Sequence, residues 1–166
     1  MKYLKQKETI VAIGFAIMML IIDQLSKIFA SNILPFRSGV PIIKKFLYFT
    51  YTTNEGAAWS ILSGASWLFI LVAVIAFIVL GYFFEHSKPE DRLTRFGIII
   101  ILSGTLGNAI DRILYGYVRD FIDIMIFGYD FPIFNVADIC ICIGVLLIFI
   151  EIFEEEYQQW KQSRLS

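Results

Sequence analysis

The chain has 166 residues, of which 58% are hydrophobic and 17% are charged, and its mean hydropathy is +0.72. Soluble domains contain about 45–50% apolar and about 25% charged residues, so this composition excludes an ordinary soluble domain, a disordered chain and a collagen-like repeat. The formal net charge of −1 provides no basic surface for nucleic acid. A single histidine, His86, argues against His-based catalysis and His-rich metal sites.

Four apolar stretches dominate the chain, at about residues 10–30, 67–84, 96–114 and 136–153. A helix that crosses the hydrocarbon core of a bilayer needs about 20 mainly apolar residues, so each stretch predicts one span. The first, third and fourth contain ionisable residues near one end, whereas the second contains none. The predicted fold is an all-α membrane protein with four transmembrane helices, in one integral membrane domain of residues 1–166.

Polar residues in the first and third spans follow helical spacing. Asp23 and Lys27 are four residues apart and can pair on one face of a helix; Asp23 is also near enough to the interface to reach lipid headgroups. Asn108, Asp111 and Arg112 share a face of the third span, after small residues that permit close helix packing. An internal brace between Asp111 and Arg112 is the structural alternative to a functional role, and Asn108 is the member most suited to touch a ligand.

The distribution of lysine and arginine in the flanking segments predicts the orientation in the membrane. Eight lie on one side of the spans and four on the other. The eight are Lys2, Lys5, Lys7, Lys88, Arg92, Arg95, Lys161 and Arg164, and the four are Arg37, Lys44, Lys45 and Arg119. We therefore expect both termini in the cytoplasm, which places the polar ends of three spans together at the extracytoplasmic face.

Two long connections lie on that extracytoplasmic side. Residues 46–53 are rich in aromatic and β-branched residues and end in a turn-like sequence, which is typical of a strand. A second extended piece is predicted around residues 121–127, followed by a turn at residues 128–130 and by Pro132. These segments predict a small β-rich cradle at the membrane interface.

Asp120 and Asp138 flank the connection between the third and fourth spans. Asn135 is a plausible N-cap, so Asp138 falls in the first turn of a helix, where its carboxylate is favoured by the helix dipole. A capping role for Asp138 and a solvated loop position for Asp120 remain open as alternatives. If the two carboxyl groups meet and share a proton, they form a hydrolytic dyad, in which we expect Asp138 as the readier anion and Asp120 as the readier acid, although such a pair titrates jointly.

Three other functions remain open from the sequence alone. A small proton or cation transporter would use aspartates as a relay, but here the acidic residues cluster at one end of the spans. A metal-dependent lipid phosphotransferase would need carboxylates gathered around Mg²⁺. In a structural subunit, every acidic residue would be a brace or a cap. Cys140 and Cys142, inside the fourth span, form neither a disulfide framework nor a zinc site and are predicted to pack between helices.

At these polar residues the sequence resembles the lipoprotein signal peptidases, also called signal peptidase II, which process bacterial prolipoproteins. Five segments carry the resemblance in the order and spacing of that family. They are residues 23–27 (DQLSK), 54–60 (NEGAAWS), 104–112 (GTLGNAIDR), 116–121 (GYVRDF) and 134–138 (FNVAD). The chain departs from the family at Arg119, where an apolar residue is usual, and its charge could alter the local pKa.

The resemblance implies a four-span aspartic endopeptidase of the bacterial cytoplasmic membrane that cuts prolipoproteins before their diacylglyceryl-modified cysteine. It implies Asp120 and Asp138 as the catalytic dyad. The residues that it implies around the substrate and the dyad are Asn54, Gly56, Asn108, Arg112 and Asn135, with Asp23 and Asp111 in support. No metal, cofactor or nucleic acid is expected, the partners are the lipid-modified substrate and membrane lipid, and a single copy of the chain suffices.

Overall fold

The computed structural model describes residues 2–56 and 64–164. Four long helices account for most of them: α1 (Lys2–Ile33), α2 (Ser66–His86), α3 (Arg92–Tyr115) and α4 (Val136–Ser163). All four are long and apolar enough to cross a membrane, which confirms the predicted spans and the all-α membrane fold class. Each helix extends beyond its apolar stretch, and α4 continues furthest, through a charged C-terminal end.

The remaining regular structure is a four-stranded antiparallel sheet in the order β1 (Val40–Ile43), β2 (Leu47–Asn54), β3 (Val118–Ile126) and β4 (Tyr129–Asp130). The two predicted β segments correspond to β2 and β3, and β1 is an additional edge strand. The predicted turn at residues 128–130 is one residue too late, because Tyr129 and Asp130 already pair with Ile126 and Met125. The turn residues are Phe127 and Gly128, whose positive φ angles of 51° and 82° suit a tight type I′ hairpin.

The sheet brings the end of β2 to the start of β3. The β2–β3 register shifts between Phe49 and Thr52, after which Thr52 pairs with Asp120 and Asn54 pairs with Val118. Such irregularities re-aim side chains along a strand. Here, the shift leaves Asn54 within hydrogen-bonding distance of the Asp120 side chain.

Helix α3 is central and packs against α1, α2 and α4. Glycines permit its closest approach to α4: a Cβ atom at Gly144 would lie 2.6 Å from the carbonyl oxygen of Gly97, and one at Gly104 would collide with the carbonyl oxygen of Ala137. At the opposite end of this pair, Glu151 of α4 accepts hydrogen bonds from the backbone N–H groups of Leu93 and Thr94. These N–H groups have no partner within their own helix, so Glu151 serves as their cap.

Helix α2 is attached more loosely than the other three. It packs against α3, and Ala73 is its one residue described as buried. Most of its apolar side chains therefore face the lipid, as expected for a span without polar groups.

Candidate active site

Asp120 and Asp138 are brought together by one residue, Asn135. The side-chain Nδ2 of Asn135 donates to Asp120 Oδ1 at 2.6 Å, and its backbone N–H donates to Asp138 Oδ2 at 3.2 Å. Asn135 also caps α4, because its side-chain oxygen accepts from the backbone N–H of Asp138 at 3.1 Å. Asp138 therefore caps α4, in a capping box with Asn135, and the same Asn135 also contacts Asp120.

The remaining oxygen of each carboxylate also receives one amide N–H. Asn108 Nδ2 donates to Asp138 Oδ1 at 2.7 Å, and Asn54 Nδ2 donates to Asp120 Oδ2 at 3.1 Å. All four carboxylate oxygens are thus held by donors, three from side-chain amides and one from the backbone. Side-chain amides do not titrate, so these donors remain available to the carboxyl groups as the pH changes.

The environments of the two carboxyl groups differ. Asp120 is 2% exposed, and its burial together with the nearby charge of Asp138 raises the pKa of Asp120 to about 7, against the opposing effect of its amide donors. Asp138 is half-buried and lies at the positive end of the α4 dipole, which favours its ionised form. The two carboxyl groups therefore lie in different surroundings, and the sequence-based assignment of Asp120 as the acid and Asp138 as the anion stays a prediction.

A cavity of about 470 Å³ lies directly against Asp138, a volume typical of a small-molecule or peptide subsite. Its polar end is formed by Asn54, Gly56, Arg112 and Asp138, and its apolar wall includes residues 131–134. The sequence reasoning missed this wall. The signal was present as two phenylalanines on either side of Pro132, immediately before the N-cap of α4.

The prediction that both cysteines pack between helices is half right. Cys140 is buried, whereas Cys142 is exposed and lines the cavity one helical turn beyond Asp138. Two residues along a helix correspond to a rotation of about 200°, so Cys140 and Cys142 must face opposite sides of α4.

Arg112 contacts neighbours other than Asp111, so the alternative of an Asp111–Arg112 brace is wrong. Its Nη2 donates to the carbonyl oxygen of Gly56 at 3.1 Å, and its guanidinium lies 4.7 Å from the ring centre of Phe69 on α2. Adjacent residues in a helix do not face each other, and Asp111 turns instead into the protein interior.

The ionic partners of Asp111 are two buried cations, and Gln24 Nε2 also donates to its carboxylate at 3.4 Å. Arg119 donates to its carboxylate from Nη2 at 2.7 Å and from Nε at 3.1 Å, and Lys27 Nζ lies 3.7 Å away. Lys27 also pairs with Asp23 at 2.9 Å, which confirms the predicted pair within α1. The four residues form a buried and electrically balanced cluster, Asp23, Lys27, Asp111 and Arg119, which we call the charge cluster.

Arg119 is accommodated by this cluster rather than by the two candidate catalytic carboxyl groups. Burial opposes its charged form, but the hydrogen bonds and charge of Asp111 outweigh burial and raise the pKa of Arg119 above its ordinary value. The charges that most affect the pKa of Asp120 are those of Asp138 and Lys27. The charge of Arg119 therefore acts mainly on its ion-pair partner, Asp111, rather than on Asp120.

Among residues 2–56 and 64–164, no group of three or more His, Cys, Asp and Glu side chains is arranged to hold a metal ion. Of the predicted motif at residues 54–60, only residues 54–56 are described, and residues 57–60 lie outside the described part of the chain.

Comparison with known proteins links this arrangement to one family. A sequence model of the Signal peptidase (SPase) II family matches residues 15–154. The lipoprotein signal peptidase of Staphylococcus aureus strain JH9 is 42% identical over 144 residues, which cover 87% of this chain and 88% of that protein. The protein of the same name from strain bovine RF122 / ET3-1 is 41% identical, with the same coverage.

Two solved structures, both described as a bacterial membrane enzyme, have a similar fold. The one determined at 2.3 Å resolution has a TM-score of 0.83 at 40% identity, with 88% of this chain and 89% of that chain covered. The one determined at 1.9 Å has a TM-score of 0.78 at 42% identity, with 86% and 92% covered. From its sequence and its fold, the chain belongs to the signal peptidase II family and is a multi-pass bacterial membrane peptidase.

Proposed function

We propose that this peptidase removes signal peptides from prolipoproteins, cutting before the diacylglyceryl-modified cysteine, with Asp120 and Asp138 as its catalytic dyad. The similarity to curated lipoprotein signal peptidases supports the substrate class. The observation that supports the dyad is the contact of Asn135 with both carboxyl groups, beside a cavity that Asp138 lines.

In the proposed reaction, ionised Asp138 takes a proton from a water molecule while protonated Asp120 donates its proton to the oxygen of the scissile carbonyl. The water oxygen bonds to the carbonyl carbon and produces a tetrahedral diol. When the C–N bond breaks, the leaving nitrogen takes the proton from Asp138, and a hydroxyl proton returns to Asp120. General acid–base steps of this kind need groups with suitable pKa values, which agrees with a pKa of about 7 for Asp120.

The cavity suits the two parts of such a substrate. Its polar end, with Asn54, Arg112 and Asp138, can bind the peptide around the scissile bond. Its apolar wall continues along α4 to Ile143, towards the membrane interior, where the apolar segment of the signal peptide or the acyl chains can remain in contact with hydrocarbon. The other site residues hold this arrangement in place, with Asn108 on Asp138 and with Asp23 and Asp111 in the charge cluster.

The proposal includes an orientation and an assembly state. The lysine and arginine distribution favours both termini in the cytoplasm, so the dyad would lie near the extracytoplasmic face, with the sheet as a cradle beside it. Both aspartates come from one chain, so a monomer in a single membrane domain would be sufficient.

The test is cleavage of a purified, lipid-modified precursor by the purified protein, with and without EDTA. We expect Asp120→Asn and Asp138→Asn each to lower the rate by at least about 100-fold, the scale of a lost acid–base group, and we expect EDTA to have no effect. Asp130→Asn is the matched control, because it makes the same chemical change at an exposed position on β4. Full cleavage by either dyad variant, or loss of cleavage in EDTA, would refute the dyad.

A further inference from the structure

Lys27 is a fully buried cation with no direct contact to either carboxyl group of the proposed dyad. It is 0% exposed, and burying an ammonium group costs several kcal/mol unless paired groups compensate. Its Nζ lies 2.9 Å from Asp23 Oδ2, 2.9 Å from Asn108 Oδ1 and 3.7 Å from Asp111 Oδ2. Each of these three side chains also contacts Asp138 itself or the residue next to Asp120 or Asp138.

Asp23 and Asp111 are connected to the dyad through backbone N–H groups. The second oxygen of Asp23 accepts the backbone N–H of Ala137 at 2.8 Å, and Asp111 Oδ2 accepts the backbone N–H of Arg119 at 2.9 Å. Ala137 and Arg119 are the residues immediately before Asp138 and Asp120. Each candidate catalytic residue is therefore anchored, through the backbone N–H of the residue before it, to a carboxylate that pairs with Lys27.

The third contact determines which way the Asn108 amide faces. An ammonium group has only donors, so Asn108 must present its oxygen to Lys27, and its NH₂ group then points to Asp138 at 2.7 Å. Asn135 Nδ2 donates to the same Asn108 oxygen at 3.2 Å. Without the ammonium, Asn108 loses its strongest donor, and a flipped amide would place its oxygen against the Asp138 carboxylate.

We propose that Lys27 is the positioning residue of the dyad: it holds Asp23, Asp111 and Asn108 in the arrangement that sets the separation and alignment of Asp120 and Asp138. The proposal rests on the proposed function, because it assigns a role within that reaction. Lys27 itself lies behind the dyad and touches no substrate in this arrangement, so its effect is on the alignment of the reacting groups.

The charge of Lys27 also bears on the pH dependence of the reaction. The charged groups that face it are Asp23 on α1, Asp111 on α3, Asp120 on β3 and Asp138 on α4, and Arg119 binds the same Asp111 carboxylate. The nearby ammonium lowers the pKa of Asp120 against the effect of burial. Removal of that charge should raise the pKa of Asp120, so that the acid keeps its proton to a higher pH.

The test compares Lys27→Met with Lys27→Gln and with Ser103→Ala. Ser103 is the matched control because it is also buried and also joins two helices, donating from α3 to the Ala16 carbonyl oxygen of α1 at 2.7 Å, but it lies outside the site. Cleavage of a lipid-modified precursor is measured from pH 5 to pH 9, with kcat expressed per folded enzyme and Tm determined for each variant. The double variant Asp23→Asn/Lys27→Met, which keeps the buried charge balanced, provides a folded sample if Lys27→Met does not fold.

For Lys27→Met we expect kcat to fall by about 100-fold, the scale of a misalignment of about 1 Å, with KM changed less than threefold and the fall in rate at high pH displaced upwards. Lys27→Gln, whose amide can still donate to Asn108, should recover part of kcat but not the original pH profile. Ser103→Ala should lower Tm and leave both kcat and the pH profile as they are. Lys27 variants that keep kcat within threefold of the parent would overturn the proposal. It would also be overturned if Lys27→Met lowered kcat no more than Ser103→Ala does at the same fall in Tm. Cleavage retained by Asp120→Asn would instead overturn the dyad itself.

Discussion

At the scale of single residues, the difference between Asp120 and Asp138 is one of burial and neighbours. Asp120 lies behind the cavity wall with two amide donors, whereas Asp138 lines the cavity and begins a helix. Two chemically identical side chains thereby have different surroundings, which is the general way in which paired carboxyl groups come to divide acid and base roles.

The pH dependence of the reaction follows from this difference. The pKa of Asp120 is about 7, and the proposed mechanism needs its proton, so activity should be lost as the pH rises through about 7 and Asp120 becomes ionised. We expect kcat/KM, which reports on the free enzyme, to decline between pH 6 and about pH 8, and a pH series of precursor cleavage measures it. A rate that increases steadily across this interval would contradict the assignment of Asp120 as the acid.

Arg119 gives a prediction about stability. Arg119→Leu removes a cation that binds Asp111 through two nitrogens and leaves a buried carboxylate with less compensation, which costs about 3 kcal/mol. Thermal unfolding should therefore show a clearly lower Tm. Arg119→Lys should recover only part of the loss, because an ammonium cannot reproduce the two-point geometry of a guanidinium. An unchanged Tm in Arg119→Leu would mean that the pair contributes no net stability.

At the scale of secondary structure elements, the glycine contacts between α3 and α4 determine how closely the start of α4, which carries Asp138, approaches α3. A methyl group at Gly104 would collide with the Ala137 carbonyl, and that carbonyl belongs to the residue before Asp138. We expect Gly104→Ala to separate the helices at this point and to lower both Tm and cleavage activity. Gly81→Ala in α2 is the control, because open space surrounds that position and alanine favours a helix. Equal effects of the two changes would argue against a positional role for Gly104.

Much of the architecture could be predicted from the sequence, since long apolar runs identify spans and aromatic, β-branched runs identify β2 and β3. Strand β1 could not, because its four residues include Pro41 and all are exposed, so no alternating pattern marks it. The turn lies one residue earlier than the sequence predicts because a phenylalanine with positive φ is uncommon, and Phe127 adopts that conformation.

The residues of the candidate site could be named from the sequence and most of their contacts could not, while their catalytic roles stay a prediction. Helical spacing predicts that Asp23 pairs with Lys27, since both lie on one helix. It cannot predict that Asp111 pairs with Arg119, because that contact joins α3 to β3 and depends on how the sheet meets the helices. The exposure of Cys142, in contrast, could have been predicted, because it follows Asp138 at the i+4 position of the same helix.

At the scale of the whole molecule, the proposed orientation places β4 and the C-terminal end of α4 on opposite sides of the membrane. In a variant whose two cysteines are replaced by alanine, a new cysteine at Asp130 should react with a membrane-impermeant maleimide in intact cells. A cysteine at Lys161 should react only after the membrane is permeabilised. The reverse pattern would show that the lysine and arginine distribution had given the wrong orientation.

The unequal attachment of the four helices has a consequence for how a substrate reaches the cavity. Helices α3 and α4 are joined by glycine contacts and by Glu151, while α2 leaves most of its surface to lipid. The apolar wall of the cavity includes Cys142 and Ile143, which are exposed on the lipid-facing side of α4. In the proposed function, a precursor that diffuses laterally in the hydrocarbon approaches this wall directly. Arg112 of the cavity lies against Phe69 of α2, so a widening of the cavity on that side would displace α2, with α3 and α4 unmoved.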